Sequence, residues 1–298
     1  MIRAGWAGIS AAALLGGVAF GGERGGDTVG LTAHARLALD PANSALAEPS
    51  AGVAPGDTGS ADLAQQLQNP VADLISVPLQ FNYDEAFGER DGGRLTRNVQ
   101  PVIPFSISDE WNVISRTIVP VLYAESAFAG DDSGFALGDT LQSLFLSPKK
   151  PVGGWVLGVG PVALLPTGTE PGLRGEQLGL GVTGVALRQR GGWTYGALTN
   201  HVWGVTDPDG IDRVSASFVQ PFVTYTWPSA TTLALNAEMT YDWNESELTL
   251  PFNLVVSQLT TLAGRPVTFF VGGRYYADAP AGGPEWGVRF GMTFLFPK

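Results

Sequence analysis

The strongest constraint on the fold of this chain is a repeated alternation of apolar and polar residues with a period of two. In the segment TLALNAEMTYDW, every second residue from Leu233 to Trp243 is apolar, and Asn236 and Glu238 lie between them. Because successive side chains of a β-strand point to opposite faces, this pattern predicts a strand with one apolar and one polar face. Runs of about nine to twelve such residues fit a strand tilted across a membrane and exceed the five or six typical of globular sheets.

Similar segments follow one another through most of the chain. We predict strands at residues 74–84, 94–105, 111–123, 134–147, 153–165, 175–189, 192–203, 214–227, 231–243, 248–258, 266–277 and 285–296. An even number of strands keeps both ends of a barrel on one side of the membrane. The expected fold class is therefore all-β: a transmembrane antiparallel up-and-down β-barrel of about 12 strands, with a short N-terminal periplasmic helix.

The segments between the predicted strands differ in length and charge on the two sides of this barrel. With periplasmic termini, most of the loop Asp and Glu residues fall in connections that face the outside, at 85–93, 124–133, 166–174, 204–213, 244–247 and 278–284. The opposite connections are mostly shorter, and Trp and Tyr residues lie near many strand ends. Long outer loops, short periplasmic turns and aromatic girdles are typical of bacterial outer-membrane barrels.

The composition restricts the function classes. The net charge of −11 argues against nucleic acid as a partner, since Lys and Arg drive binding to phosphates. The absence of cysteine excludes disulfides and thiolate chemistry. The sequence has no phosphate-binding glycine loop, zinc motif or cofactor signature, so we expect no cofactor and no metal site. A soluble β-sandwich or lipocalin-like barrel is the alternative fold, with its apolar face packed inside.

The N-terminal quarter of the chain lacks the alternating pattern. Residues 1–22 contain Arg3 and an apolar run of the length of a secretion signal, although the cleavage site is not defined. Residues 23–59 are rich in Gly, Ala, Pro and Ser, and we interpret them as a disordered linker. Residues 60–70 predict a short periplasmic helix that Ser60 can cap and Pro70 ends, and residues 71–298 form the predicted barrel.

Three stretches together resemble a known family: NPVADLISVPLQFNYD, QPVIPFSISDEWNVISRTIVPV and GFALGDTLQSLFLSP. They are similar to Gram-negative outer-membrane proteins related to the barrels of phenol meta-degradation operons, whose members are often labelled "transporter" or "neuromedin U". The similarity runs from about Leu63 to the end of the chain. It implies an outer-membrane location, contact with outer-membrane lipid and lipopolysaccharide, and uptake of small, hydrophobic or aromatic compounds.

The last predicted strand, GVRFGMTFLFPK, places Phe290, Phe294 and Phe296 on one face. An alternating aromatic pattern with a near-terminal Phe resembles the signal that the barrel-assembly machinery reads. In this chain Pro297 and Lys298 follow the last Phe, which is a small departure from that pattern.

The strand parity also predicts which side chains line the barrel lumen. The candidates share the polar face of their strands: Gln80, Asn82, Asn98, Gln100, Arg116, Glu238, Arg274 and Arg289. A charge on the lipid face near the membrane midplane costs about 2–4 kcal/mol for Arg or Lys, so the lumen is the favourable position. These charges either form a constriction that orders a permeating solute or form an internal salt-bridge network that plugs the lumen.

Three functions follow from this reading. The first is passive transport or binding of a small solute, and the second is a structural or adhesive barrel with a plugged lumen. The third, a lipid-modifying enzyme, is disfavoured because Trp203 stands where a serine would follow His201, and no serine is positioned for that histidine by sequence. The Asp131-Asp132 pair and the Asp207-Pro208-Asp209 turn could offer oxygen ligands to Ca²⁺, but no calcium-loop spacing accompanies them.

Overall fold

The computed structural model describes residues 58–87, 92–124, 134–169, 177–206 and 213–297. Within these residues the chain forms a helix, α1 (Thr58–Leu67), followed by β-strands. The strands are β1 (Ile75–Phe87), β2 (Gly92–Val99), β3 (Val102–Ser106), β4 (Trp111–Ala124), β5 (Gly134–Leu137), β6 (Thr140–Pro148), β7 (Val156–Leu165), β8 (Gly179–Arg190), β9 (Trp193–Gly204), β10 (Ser215–Thr226), β11 (Thr231–Ala237), β12 (Met239–Asp242), β13 (Glu247–Leu262), β14 (Arg265–Asp278) and β15 (Trp286–Phe296).

These segments form a closed antiparallel barrel. Three of its twelve strands are each interrupted once, as β2–β3, β5–β6 and β11–β12. The barrel closes where β1 pairs with β15, with Ile75 opposite Phe296 and Glu85 opposite Trp286. The predicted fold class is confirmed, and each predicted strand corresponds to one strand of the barrel.

The N-terminal predictions are only partly within the described residues. The predicted signal peptide lies outside them, as does the predicted linker apart from residues 58 and 59, which belong to α1. The helix begins two residues earlier than predicted and ends at Leu67, before Pro70. Within the described part of the chain, no helix has the length and apolar character needed to cross a membrane.

Apolar side chains form a belt around the outside of the barrel. The belt is made of exposed strand residues, including Leu144, Leu146, Leu157, Val159, Leu180, Val182, Leu233, Leu235, Leu254, Val256, Phe269, Val271 and Phe290. On β15, Phe290 and Phe296 are exposed and Phe294 is half-buried, whereas Arg289, Thr293 and Leu295 point inward and are buried. A continuous exposed apolar belt suits contact with lipid and argues against the soluble alternative.

The two ends of the barrel differ. The turn end carries the connections 107–110, 149–155, 191–192, 227–230 and 263–264, and the loop end carries the others, most of which are longer. In the turn between β13 and β14, Ala263 and Gly264 both have positive φ, at 50° and 78°, as a two-residue hairpin requires. Exposed aromatic residues mark both ends, with Trp111, Trp193 and Trp227 at the turn end and Trp203, Trp243 and Trp286 at the loop end. That the turn end faces the periplasm stays a prediction.

Glycines of β7 and β8 permit close approach between neighbouring strands. A Cβ atom on Gly160 would lie 1.9 Å from the carbonyl oxygen of Leu144, and one on Gly181 would lie 1.7 Å from that of His201. No side chain fits at either position without moving the backbone of the next strand. These glycines explain why the alternation is weakest in this part of the sequence.

The interior of the barrel has two chemically different walls. The apolar wall consists mainly of inward residues of β4 and β6–β9: Ile114, Ile118, Leu122, Leu141, Phe145, Val162, Leu164, Val185, Leu187, Leu198 and Val202. The polar wall consists mainly of inward residues of β1, β2 and β11–β15: Gln80, Asn82, Asp84, Arg94, Thr96, Asn98, Asn236, Glu238, Asn253, Ser257, Thr268, Arg274, Arg289 and Thr293. The inward face of β10 alternates between the two types, with Phe218 and Phe222 next to Gln220 and Thr224.

Candidate functional site: the barrel interior

All of the predicted lumen residues point into the barrel. Each of them is buried, and none exceeds 3% exposure: Gln80, Asn82, Asn98, Gln100, Arg116, Glu238, Arg274 and Arg289. Residues lining a wide aqueous pore would be exposed to solvent. The interior between the described strands is therefore filled by side chains in this conformation.

Arg289 and Glu238 form the central ion pair of the interior. Nη1 of Arg289 donates to Oε1 of Glu238 at 2.8 Å, and Nη2 donates to Oε2 at 3.0 Å. Nε of Arg289 donates to Oδ1 of Asn82 at 2.9 Å. Two parallel N–H···O bonds give this pair both strength and a fixed geometry.

A second set of contacts extends the pair toward β2. Nη2 of Arg274 lies 3.6 Å from Oε2 of Glu238, and Nε of Arg274 lies 3.6 Å from Oδ1 of Asp84. Tyr276 donates its hydroxyl hydrogen to Oδ1 of Asp84 at 3.0 Å, and Nη2 of Arg94 donates to Oδ2 at 3.3 Å. The arginine network, defined as Asn82, Asp84, Arg94, Glu238, Arg274, Tyr276 and Arg289, thus connects β2, β1, β15, β14 and the β11–β12 junction across the loop half of the interior.

Glu238 lies at the interruption between β11 and β12, opposite Pro251 of β13. Pro251 has no N–H, and its carbonyl accepts from the backbone N–H of Glu238 at 2.9 Å. The register of β13 is the same on both sides of this interruption, with Asn236 opposite Asn253 and Thr240 opposite Thr249. Glu238 therefore keeps the inward direction of Asn236, and its carboxylate faces Arg289.

The structure brings together only three of the four charged candidates. Arg274, Arg289 and Glu238 are in contact, whereas Arg116 lies in the turn half of the interior. Arg116 lines a cavity of about 20 Å³ together with Ser76, Val102 and Pro70, which is room for about one water molecule. Sequence reasoning missed Asp84, Arg94 and Tyr276, although Asp84 and Arg94 continue the inward parity of Asn82 and Thr96.

The N-terminal segment closes the turn end of the interior. The stopper, defined as residues 58–74, consists of α1 and the segment that leads into β1. Nε2 of Gln65 donates to the carbonyl of Gly191, and Nε2 of Gln189 donates to the carbonyl of Gln65 at 2.7 Å. These bonds attach the helix to the turn between β8 and β9.

Apolar contacts hold the stopper from the inside. Leu67, Ala72 and Leu74 pack with Leu259 and Leu295 of the polar-wall strands. Val71 packs into the main apolar cluster, which also contains Val102, Ile114 and Phe145. The stopper is therefore bonded to the barrel rim and packed into both walls.

His201 has a serine partner that sequence spacing did not reveal. Nδ1 of His201 lies 2.8 Å from Oγ of Ser217, directly opposite on β10, and Nε1 of Trp243 donates to the same oxygen at 2.8 Å. The expectation that no serine is positioned for His201 is therefore wrong, since the neighbour comes from strand pairing. Within the described part of the chain, however, Nε2 of His201 has no hydrogen-bond partner, so no third group orients the imidazole as in a catalytic triad.

Among the described residues, no cluster of His, Asp and Glu has the arrangement of a metal site. The Asp131-Asp132 pair and the Asp207-Pro208-Asp209 turn lie outside the described residues.

Comparison with known proteins supports the fold. No family model matches the sequence, and no curated protein matches it. Among solved structures, the COG4313 outer membrane channel from Pseudomonas putida F1 is similar with a TM-score of 0.59 and 14% identity, over 82% of this chain and 100% of that chain. Outer membrane phospholipase A from Escherichia coli has a TM-score of 0.45 and 11% identity, over 73% of this chain and 95% of that chain.

The similarity to the COG4313 channel bears on the fold. The apolar belt of the barrel is itself consistent with placement in a membrane. Identities of this size show a shared fold alone. The resemblance to the phenol-operon family stays a prediction.

Proposed function

We propose that this protein is an outer-membrane channel for a small solute, and that the stopper and the arginine network hold it closed in the conformation described here. The observation that carries the proposal is the amphipathic interior, a polar wall opposite an apolar wall, inside a barrel with a lipid-compatible outer surface. A barrel that served only as a rigid scaffold has no need of buried amides and arginines, since apolar residues fill an interior at lower desolvation cost. The COG4313 channel of similar fold adds support.

The two walls indicate the kind of solute. An apolar body can pack against Ile118, Leu141 and Phe145, while a polar group exchanges hydrogen bonds with the polar wall. The resemblance to proteins that take up hydrophobic or aromatic compounds agrees with this chemistry. Passage through such a channel is passive in this proposal, as expected from the sequence.

A planar-bilayer conductance measurement tests the proposal. Leu67 is a buried residue of the stopper that packs with Leu259 and Leu295, so Leu67→Asp should loosen the stopper and increase the open probability of the channel. Gln66→Asp introduces the same charge at an exposed position of the same helix and is the matched control. The proposal predicts rare openings for the wild type and the control and frequent openings for Leu67→Asp. Silence of all three proteins would contradict it.

The second candidate function is a structural barrel with a permanently plugged lumen. The bidentate Glu238–Arg289 bond and its connections to Asp84 and Arg94 favour it, because they join five of the twelve barrel strands. This candidate predicts no conductance from Leu67→Asp, even when the folded barrel is present in the bilayer.

A further inference from the structure

Three consecutive inward positions of the β2 segment carry polar side chains with unused hydrogen-bonding capacity. Thr96, Asn98 and Gln100 are all fully buried. The Thr96 hydroxyl, both polar atoms of the Asn98 amide and both of the Gln100 amide have no hydrogen-bond partner within the described protein. We refer to these three residues as the β2 polar track.

Such a group of atoms is unusual in a folded protein. More than about 90% of buried polar groups have a hydrogen-bond partner, and each one left without a partner costs stability. The neighbouring amides follow that rule, since Nε2 of Gln80 donates to Oδ1 of Asn82 at 3.1 Å and Asn82 also accepts from Arg289. Five atoms without partners on three successive inward residues indicate that a polar group of a bound ligand supplies their hydrogen bonds.

The chemistry of the track defines that group. Each amide offers one donor and one acceptor set, and the hydroxyl offers both, but none of the three carries a charge. The inward charged residues of β1 and β2, Asp84 and Arg94, form an ion pair with each other, and Arg97, which lies between Thr96 and Asn98, is exposed on the outer face. The track therefore suits an uncharged group that both donates and accepts, such as a hydroxyl or a primary amide.

The surroundings define the rest of the ligand. Strand register places Thr96 beside Leu122 and Asn98 beside Pro120 of β4, both of which point inward. The β2 polar track thus lies at the seam where the polar wall meets the apolar wall. An occupant that hydrogen-bonds to the track has its apolar part against β4.

We propose that the β2 polar track is a binding station for an uncharged small amphiphile with a hydroxyl or amide group on an apolar body. The station lies between the cavity beside Arg116 at the turn end and the Asp84–Arg94 pair at the loop end. This position is on the route between the stopper and the arginine network. The inference deepens the proposed function and rests on it for the role of the ligand as a passing solute.

Ligand-detected NMR tests the station, with benzyl alcohol as the uncharged probe and benzoate as its anionic counterpart. The detergent-solubilised full-length protein is compared with an Asn98→Leu/Gln100→Met variant, which keeps side-chain size and removes both amides. Thr232→Val is the matched control, because Thr232 is an inward, fully buried residue that already bonds Thr226 at 2.9 Å. All samples contain the same detergent concentration, so partition of the probe into micelles contributes equally to each measurement.

We expect benzyl alcohol to bind the wild type and the control equally, and the amide variant to bind about tenfold more weakly, because two hydrogen bonds are lost. An excess of benzoate should not displace the alcohol. Equal binding by the amide variant, or no binding by the wild type, would overturn the inference. A heat-modifiable band on a gel confirms that each variant is folded. If the Asn98→Leu/Gln100→Met variant does not fold, a Thr96→Val/Gln100→Met variant takes its place.

This outcome separates the station from the proposed function. Conductance by Leu67→Asp without probe binding would retain the channel and reject the station. Probe binding that needs Asn98 and Gln100, in a protein that never conducts, would retain the station and reject the channel.

Discussion

At the scale of single residues, Glu238 matters most, because it is the carboxylate that contacts both Arg274 and Arg289. Removing one partner of a buried ion pair leaves an uncompensated charge and costs about 3–5 kcal/mol. We predict that Glu238→Gln lowers the free energy of unfolding by an amount of this order. The midpoint of heat modification on a gel measures the change, and Asp109→Asn, at an exposed turn position, is the control. An unchanged midpoint would mean that water screens these charges.

The two arginines themselves distinguish an open from a plugged lumen. Arg274→Ala with Arg289→Ala removes two positive charges from the interior. If solutes pass this point, ion selectivity in bilayers should shift toward cations. If the lumen is plugged, the same change should lower thermal stability or increase leak conductance. No change in selectivity, leak or stability would contradict the placement of these arginines.

The Ser217–His201 contact gives a direct check on the absence of enzyme activity. We predict that the wild type and Ser217→Ala release no fatty acid from phospholipid vesicles, because His201 lacks a third orienting group within the described residues. The substitution should cost only about 1 kcal/mol of stability, from the lost hydrogen bonds. Fatty-acid release by the wild type that Ser217→Ala abolishes would contradict this prediction.

The alternation of apolar and polar residues along the regular strands was sufficient to predict that individual lumen residues point inward. It was not sufficient to predict their contacts. Glu238 contacts Arg289 across the interior, since β12 and β15 are not paired, and Ser217 contacts His201 through the register of β9 and β10. Such contacts and registers depend on other strands, so the pattern of one strand does not contain them.

At the scale of elements, the last strand carries a prediction about assembly. Phe296 and Phe269 are both exposed outward aromatic residues, at 37% and 41%, on neighbouring strands. If the terminal Phe belongs to an assembly signal, Phe296→Ala should reduce the folded amount in the outer membrane more than Phe269→Ala does. The intensity of the heat-modifiable band measures that amount. Equal reduction by both variants would mean that Phe296 acts only as a lipid-facing side chain.

The helix shows how far element prediction reaches. Ser60 and Pro70 indicated a short helix in nearly the right place, but nothing in that segment indicated that it closes the barrel. The contacts of Gln65 with the turn at Gly191 join residues more than a hundred positions apart. Such contacts depend on the closed barrel and are not visible in the local pattern.

At the scale of the whole molecule, cysteine labelling tests the orientation of the barrel in the membrane. Single cysteines in 85–93 or 204–213 should react with a membrane-impermeant reagent on intact cells, and single cysteines in 148–152 should not. The chain has no native cysteine, so each label reports one site. Reversed labelling would place the stopper on the cell surface.

The division of the interior into two walls is also a property of the whole barrel. Strands β4 and β6–β9 are apolar on both faces over much of their length, so their sequences do not reveal which face points inward. Only the closed barrel sets these residues against the polar face of β1, β2 and β11–β15. Many residues of the polar wall were therefore predictable, although Asp84 and Arg94 were missed, whereas the apolar wall was not predictable.

Locking the stopper in place is the most direct test of whether it closes a channel. In a Gln65→Cys/Gln189→Cys protein, a short thiol-cleavable crosslinker should join α1 to β8, because the amide of Gln189 reaches the backbone of Gln65. We expect no openings in a planar bilayer while the crosslink is intact and recovery of openings after reduction. The Gln65→Cys protein with the same treatment is the control. Equal conductance before and after reduction, with the crosslink verified on a gel, would mean that the stopper does not close a channel.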